Sequence, residues 1–96
     1  MEREKVLLVL RSALPELKAL GVQSVAVFGS TARDEASTES DVDVLIEFSG
    51  KGTFDRYMDV KFLLEESLGK PVDLVMRGAL KPRMRPRVEQ EAIYVS

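Results

Sequence analysis

The sequence predicts an α/β (α+β) fold, a small mixed sheet of three to four strands flanked by helices. Three observations carry that prediction. Val6, Leu7, Leu10, Leu14, Leu17 and Leu20 recur at helical spacing near the N-terminus. Three short segments at 25–28, 41–48 and 72–76 are apolar or alternating and have strand length. A second stretch of helical periodicity, at 53–68, lies between the last two of them.

The N-terminal segment is amphipathic, but Pro15 removes a backbone donor inside it, so a kink or a division into two short helices is expected. Gly21 suits the left-handed residue that closes a helix. Val25, Ala26, Val27 and Phe28 are apolar without alternation, as in an interior strand covered on both faces. Residues 30–35 suit a short helix with Ser30 as its cap, and 36–40 are polar and loop-like. Residues 41–48 alternate at first and then turn apolar, and the turn cluster Ser49, Gly50, Lys51, Gly52 ends that strand. Thr53 suits the cap of a helix through Leu68, whose buried side is expected to be mostly Phe54, Met58, Phe62, Leu64 and Leu68. Gly69 and Pro71 end it. Residues 72–76 read as a third strand, Pro86 as the first residue of a short helix, and Ile93, Tyr94 and Val95 as a last edge strand. No repeat, low-complexity tract or linker interrupts residues 1–96, so one domain is expected.

Composition narrows the chemistry. Fourteen Lys and Arg against sixteen Asp and Glu leave a net charge of −2. No overall field therefore recruits nucleic acid or an anionic membrane, and direct nucleic-acid binding is not expected. Cysteine and histidine are both absent. Disulfides, zinc sites built on thiolate or imidazole, and every mechanism with a histidine base are excluded. A metal here must be a hard ion held by oxygen. Residues 1–5 are charged rather than signal-like, and no stretch approaches the ~20 apolar residues of a membrane span. A cytoplasmic protein is expected.

The acidic residues that remain are placed unusually. Asp41 and Asp43 are two apart on a strand and so share a face. Asp73 interrupts an otherwise apolar strand. Carboxylates crowded on a sheet repel one another and resist desolvation, so they need compensation, and a divalent cation supplies it. With ten residues between it and Asp41, the pair Gly29-Ser30 ends a strand. Glycine lets backbone amides approach a phosphate, and the Ser30 hydroxyl can donate to a phosphate oxygen. Together these parts describe in-line phosphoryl transfer, in which positioning and charge stabilisation do most of the work.

The run Phe28-Gly29-Ser30-Thr31-Ala32-Arg33, followed by Ser40-Asp41-Val42-Asp43-Val44-Leu45-Ile46, resembles the signature of the DNA polymerase beta-type nucleotidyltransferase superfamily. Residues 21–25, the helix ending at 63–69, the strand at 72–75 and the tail from Leu80 to Val95 extend the likeness to the minimal nucleotidyltransferase (MNT) branch, over nearly the whole chain. The resemblance implies that Asp41 and Asp43 bind a pair of Mg²⁺ ions, for which Mn²⁺ can substitute, and that Asp73 completes the triad and helps activate the attacking hydroxyl. It implies that Gly29 and Ser30 hold the triphosphate of ATP, and that Arg33 and Ser40 support the loop or contact phosphate. Many relatives carry glycine where this chain has Asp34, which leaves the loop path after Arg33 open.

The same resemblance implies a partner. After Asp73 only about two dozen residues remain, too few for a second domain that presents an acceptor. Minimal nucleotidyltransferases commonly pair with HEPN-domain ribonuclease toxins, and MntA-type antitoxins adenylylate a tyrosine of the toxin. That role is the leading expectation. The alternatives are transfer to a small molecule, in the manner of aminoglycoside nucleotidyltransferases, or an antitoxin that occludes its partner with catalysis dispensable.

Blander readings stand beside these. Asp41 and Asp43 can be solvated charges on an edge strand, Ser30 a helix cap and Arg33 a surface charge. Lys61 is read as solvated, and Phe54, Met58 and Phe62 as core. The basic residues Arg77, Lys81, Arg83, Arg85 and Arg87 are a solvated face unless they meet RNA or an acidic partner.

Overall fold

A computed structural model describes residues 2–35 and 41–96 of the chain. The order of elements is α1 (Arg3–Ala19), β1 (Val22–Phe28), α2 (Gly29–Ala32), β2 (Val42–Phe48), α3 (Phe54–Leu68), β3 (Val72–Met76), a 3₁₀ turn (Arg77–Ala79), α4 (Arg85–Glu91) and β4 (Ile93–Tyr94). The loop-like reading of 36–40 and the residue Ser40 lie outside the described residues.

The strands form one four-stranded mixed sheet in the order β3-β2-β1-β4, as the α/β expectation requires. β1 pairs antiparallel with both β2 and β4, and β2 pairs parallel with β3. The parallel pair needs a crossover, and α3 supplies it. β1 is interior, and its Val25, Ala26 and Val27 are buried, in line with their unbroken apolar run. Thr53 caps α3 by accepting from Arg56 N at 3.2 Å, and Gly69 closes it with φ 67°.

Alternation along the strands separates two faces. Val25, Val27, Val42, Val44, Ile46, Val72 and Leu74 point to one side, where α1 and α3 cover them with Leu10, Leu17, Val60 and Leu64. These four helix side chains are fully buried, each worth ~1.5–3 kcal/mol relative to exposure. The other side carries Ala26 and Leu45, under Leu80 and Val88 alone among the buried side chains. That thinner cover leaves room on the second face for polar residues.

The structure corrects three local expectations. Pro15 neither divides nor ends the N-terminal helix, which runs unbroken from Arg3 to Ala19. Pro15 and Arg11 are both exposed, so the carbonyl freed by the missing donor can be met by water. Pro86 is the second residue of α4, and Arg85 the first. On α3 the buried residues are Val60, Leu64 and Leu68, while Phe54 and Phe62 are exposed. Apolar residues at i, i+4 and i+8 mark one face of a helix, but the periodicity cannot say whether that face meets the sheet.

Candidate active site

The second face of the sheet gathers the acidic residues. Parallel pairing sets Asp43 of β2 directly beside Asp73 of β3, and antiparallel pairing sets Asp43 opposite Phe28, the last residue of β1. Neighbouring strands lie ~4.8 Å apart, so the two carboxyl groups are close neighbours on one face. Asp43 is half-buried, and Asp73 is exposed. Burial pushes the Asp43 carboxyl up to about 6, and the charge of Asp73, a hydrogen bond to Asp73 and the charge of Asp41 add to the rise. Arg33 opposes it.

Asp41 lies one residue before β2 and is exposed. Its charge reaches Asp43. Among the described residues no three acidic side chains close into a ready-made metal cage. Asp43 and Asp73 sit side by side on one face, and Asp41 stands at their margin. Such a pair is suited to a divalent ion, because hard cations exchange for protons at carboxylate oxygens. Asp41, Asp43 and Asp73 would hold it.

Gly29 is built against Asp43. Its φ is 68°, and a Cβ added to it would overlap the Asp43 carboxylate, meeting Oδ2 and lying 3.1 Å from Cγ. Only glycine satisfies both the left-handed conformation and the close approach. Ser30 is the second residue of α2, whose cap position is Phe28 with no side-chain cap bond. The helix-cap explanation of Ser30 therefore fails. Thr31, next in line, is buried, and its Oγ1 has no hydrogen-bond partner among the described residues.

Arg33 follows α2 and is held by two carboxylates, with Nε 3.1 Å from Glu35 Oε2 and Nη1 2.9 Å from Glu91 Oε1 on α4. Glu35 and Glu91 both bond to it, and their hydrogen bonds and charges raise its already high pKa. Sequence reasoning missed Glu91, because its 58-residue separation from Arg33 leaves no local signal. Of the basic residues near the C-terminus, Arg77 pairs with Glu89 at 2.9 Å and Arg87 with Glu91 at 3.6 Å. Lys61 sits on α3, across the sheet from the carboxylates, which removes it from this site.

What this geometry does is decided by comparison with known proteins. Residues 10–95 match the nucleotidyltransferase domain family. The chain belongs to that family. It is therefore a nucleotidyltransferase, and the carboxylate face beside Gly29 is its candidate active site. The nucleotidyltransferase is 37% identical over 93 residues to a Thermococcus cleftensis protein named protein adenylyltransferase MntA, covering 96% of this chain and 94% of that one. A Methanocaldococcus jannaschii relative is 40% identical over 75 residues, 77% of this chain and 76% of its own. Among solved structures, a "putative minimal nucleotidyltransferase" superposes with a TM-score of 0.84 at 40% identity, covering 97% and 95% of the two chains. A toxin–antitoxin structure with AMP-PNP shares the fold at 17% identity, with a TM-score of 0.73 and coverage of 90% and 72%.

No helix among the described residues is long and apolar enough to cross a membrane.

Proposed function

We propose that this nucleotidyltransferase is a protein adenylyltransferase antitoxin, which transfers AMP from ATP to a tyrosine of a cognate HEPN-domain ribonuclease toxin. The observation that carries the reading is the Asp43–Asp73 pair, with Gly29 packed on Asp43, in a chain 37% identical to a protein named as an adenylyltransferase. MntA–HepT toxin–antitoxin complexes among the structures that share the fold support the choice of partner.

In this reading the backbone at Gly29 and the Ser30 hydroxyl bind the triphosphate. The half-buried Asp43 and the exposed Asp73 face the reacting phosphorus. The tyrosine oxygen attacks the α-phosphorus and forms a new P–O bond. The bond from that phosphorus to the oxygen bridging to the β-phosphate breaks, and pyrophosphate leaves. The phenolic proton passes to the Asp73 carboxylate. Mg²⁺ held by Asp41, Asp43 and Asp73 would supply charge neutralisation on the phosphate oxygens. The phosphodiester left on the toxin adds a negative charge and bulk that repel RNA.

The test mixes the chain with its cognate HEPN protein and Mg-ATP and measures the intact mass of the partner. The expected result is a gain of one or more adenylyl groups on tyrosine, abolished by Asp43→Asn. A partner whose ribonuclease is silenced while its mass never changes would establish occlusion in place of transfer.

A further inference from the structure

Two exposed phenylalanines lie on the helix face away from the carboxylates. Phe54 is 76% and Phe62 is 59% exposed, and the partly exposed Met58 lies between them on α3. Positions 54, 58 and 62 share one side of a helix and span ~12 Å along its axis. The core does not need them, since Val60, Leu64 and Leu68 already fill the side of α3 that meets the sheet. Two exposed phenylalanines on one stripe form a continuous apolar patch, which on a soluble surface marks a site of association.

The charges around the stripe select what covers it. Asp55, Asp59 and Glu66 are exposed and run alongside it, one helical turn or two apart. Of the two cations on α3, Arg56 turns to the carbonyl of Lys51 at 3.4 Å, and Lys61 is half-buried. A symmetric pairing of two copies through this face would bring Asp55, Asp59 and Glu66 of one copy against the same residues of the other, which repel. A peptide strand is disfavoured too. Tyr57 Oη donates to Leu74 O at 2.6 Å, and Val72 N donates to Glu65 Oε2 at 2.9 Å, so side chains of α3 already occupy backbone groups of the edge strand β3. A helix fits the remaining geometry, because two turns of it match the length of the stripe.

We infer that the outer face of α3 docks an amphipathic helix of another protein, its apolar stripe seated on Phe54, Met58 and Phe62 and its flanking lysines or arginines paired with Asp55, Asp59 and Glu66. Because α3 lies on the opposite face of the sheet from Asp43 and Asp73, a partner held there leaves the carboxylate site open. The inference does not depend on which acceptor the enzyme modifies.

The probe is a synthetic two-faced helix of leucines flanked by lysines, titrated into the isotope-labelled full chain, with a glutamate-flanked peptide as control. The lysine peptide is expected to shift amide signals of residues 54–66, and the glutamate peptide to leave them unmoved. Phe54→Ser with Phe62→Ser should weaken the lysine peptide by roughly tenfold or more. Asp55→Lys with Asp59→Lys should reverse the preference in favour of the glutamate peptide, a result that loss of folding cannot mimic. Shifts centred on the carboxylate face, or no reversal in the lysine variant, would overturn the inference. So would a dimer of the free chain that the serine variant dissolves, because a second copy would then be the occupant.

Discussion

Gly29 and Asp43 are in steric contact across the β1–β2 pair: the space a Gly29 side chain would need is filled by the Asp43 carboxylate. The glycine therefore fixes the position of an acidic group as well as the shape of its own turn. Gly29→Ala must place a methyl group on that carboxylate and hold alanine at a φ of 68°. The left-handed conformation alone costs an L-residue ~1–2 kcal/mol, and displacement of Asp43 adds to it. A lower melting temperature and loss of metal-dependent nucleotide binding are expected together. Wild-type nucleotide affinity in the alanine variant would dissociate the glycine from the site.

Asp43 should trade stability for function. Its carboxyl titrates at about 6 in the folded protein against 3.8 in the unfolded chain, so the fold holds the proton more tightly. The stabilisation from protonation is complete below the unfolded value and is lost as pH rises through about 6. Metal-free protein should accordingly gain stability from this group on acidification from neutral pH into the window between about 6 and 3.8. Asp43→Asn should raise the melting temperature at neutral pH in chelator, while abolishing transfer. Mg²⁺ bound at this carboxyl would take the place of the proton, so its affinity, followed by calorimetry, should fall as pH drops below about 6. A melting temperature that Asp43→Asn leaves unchanged in chelator would mean that burying the Asp43 charge costs the fold nothing.

The sheet and two of its carboxylates were legible in the sequence because strand periodicity is exact: residues two apart share a face, so Val42 and Asp43 declare their sides directly, whereas Asp41, expected on the same strand, lies one residue before β2 and outside that repeat. Asp73 was legible for the same reason, as a charge inside the apolar strand Val72–Met76. The outer face of α3 was not. Phe54, Met58 and Phe62 obey the helical repeat as well as Val60, Leu64 and Leu68 do, and only the position of the sheet tells the two stripes apart. Glu91 was hidden for another reason. A long-range ion pair to Arg33 depends on where α4 docks, and no local pattern encodes docking.

Asp34 offers a test of loop geometry. It is the one non-glycine residue with positive φ among the described residues, at 60°. Aspartate tolerates this conformation better than most side chains, but still at a cost. Asp34→Gly relieves that cost and loses part of the gain, because glycine has more freedom to lose on folding. A net stabilisation of up to ~1 kcal/mol is expected, read as a higher melting temperature with nucleotide binding unchanged. A destabilised glycine variant would show that the 3.4 Å contact from Arg3 N to Asp34 Oδ1 matters more than the backbone.

Arg33 poses a choice between two roles. Its guanidinium is held by Glu35 and Glu91, yet its charge reaches Asp43 and opposes the rise in that carboxyl's pKa. A cation in this position can meet an incoming triphosphate only by giving up a carboxylate. The ion pair itself contributes little to stability, since the Arg33 side chain is 38% exposed and solvent screens such pairs. Arg33→Ala should therefore leave the melting temperature nearly unchanged and weaken ATP binding several-fold, an effect that salt diminishes. Glu91→Gln keeps a hydrogen-bond acceptor for Arg33 but removes the competing charge, so its ATP affinity should equal or exceed that of the wild type. The two variants then move apart if Arg33 serves phosphate. If both lose affinity equally, the pair acts by fastening α4 to the loop after α2. If neither changes, Arg33 has no part in nucleotide binding.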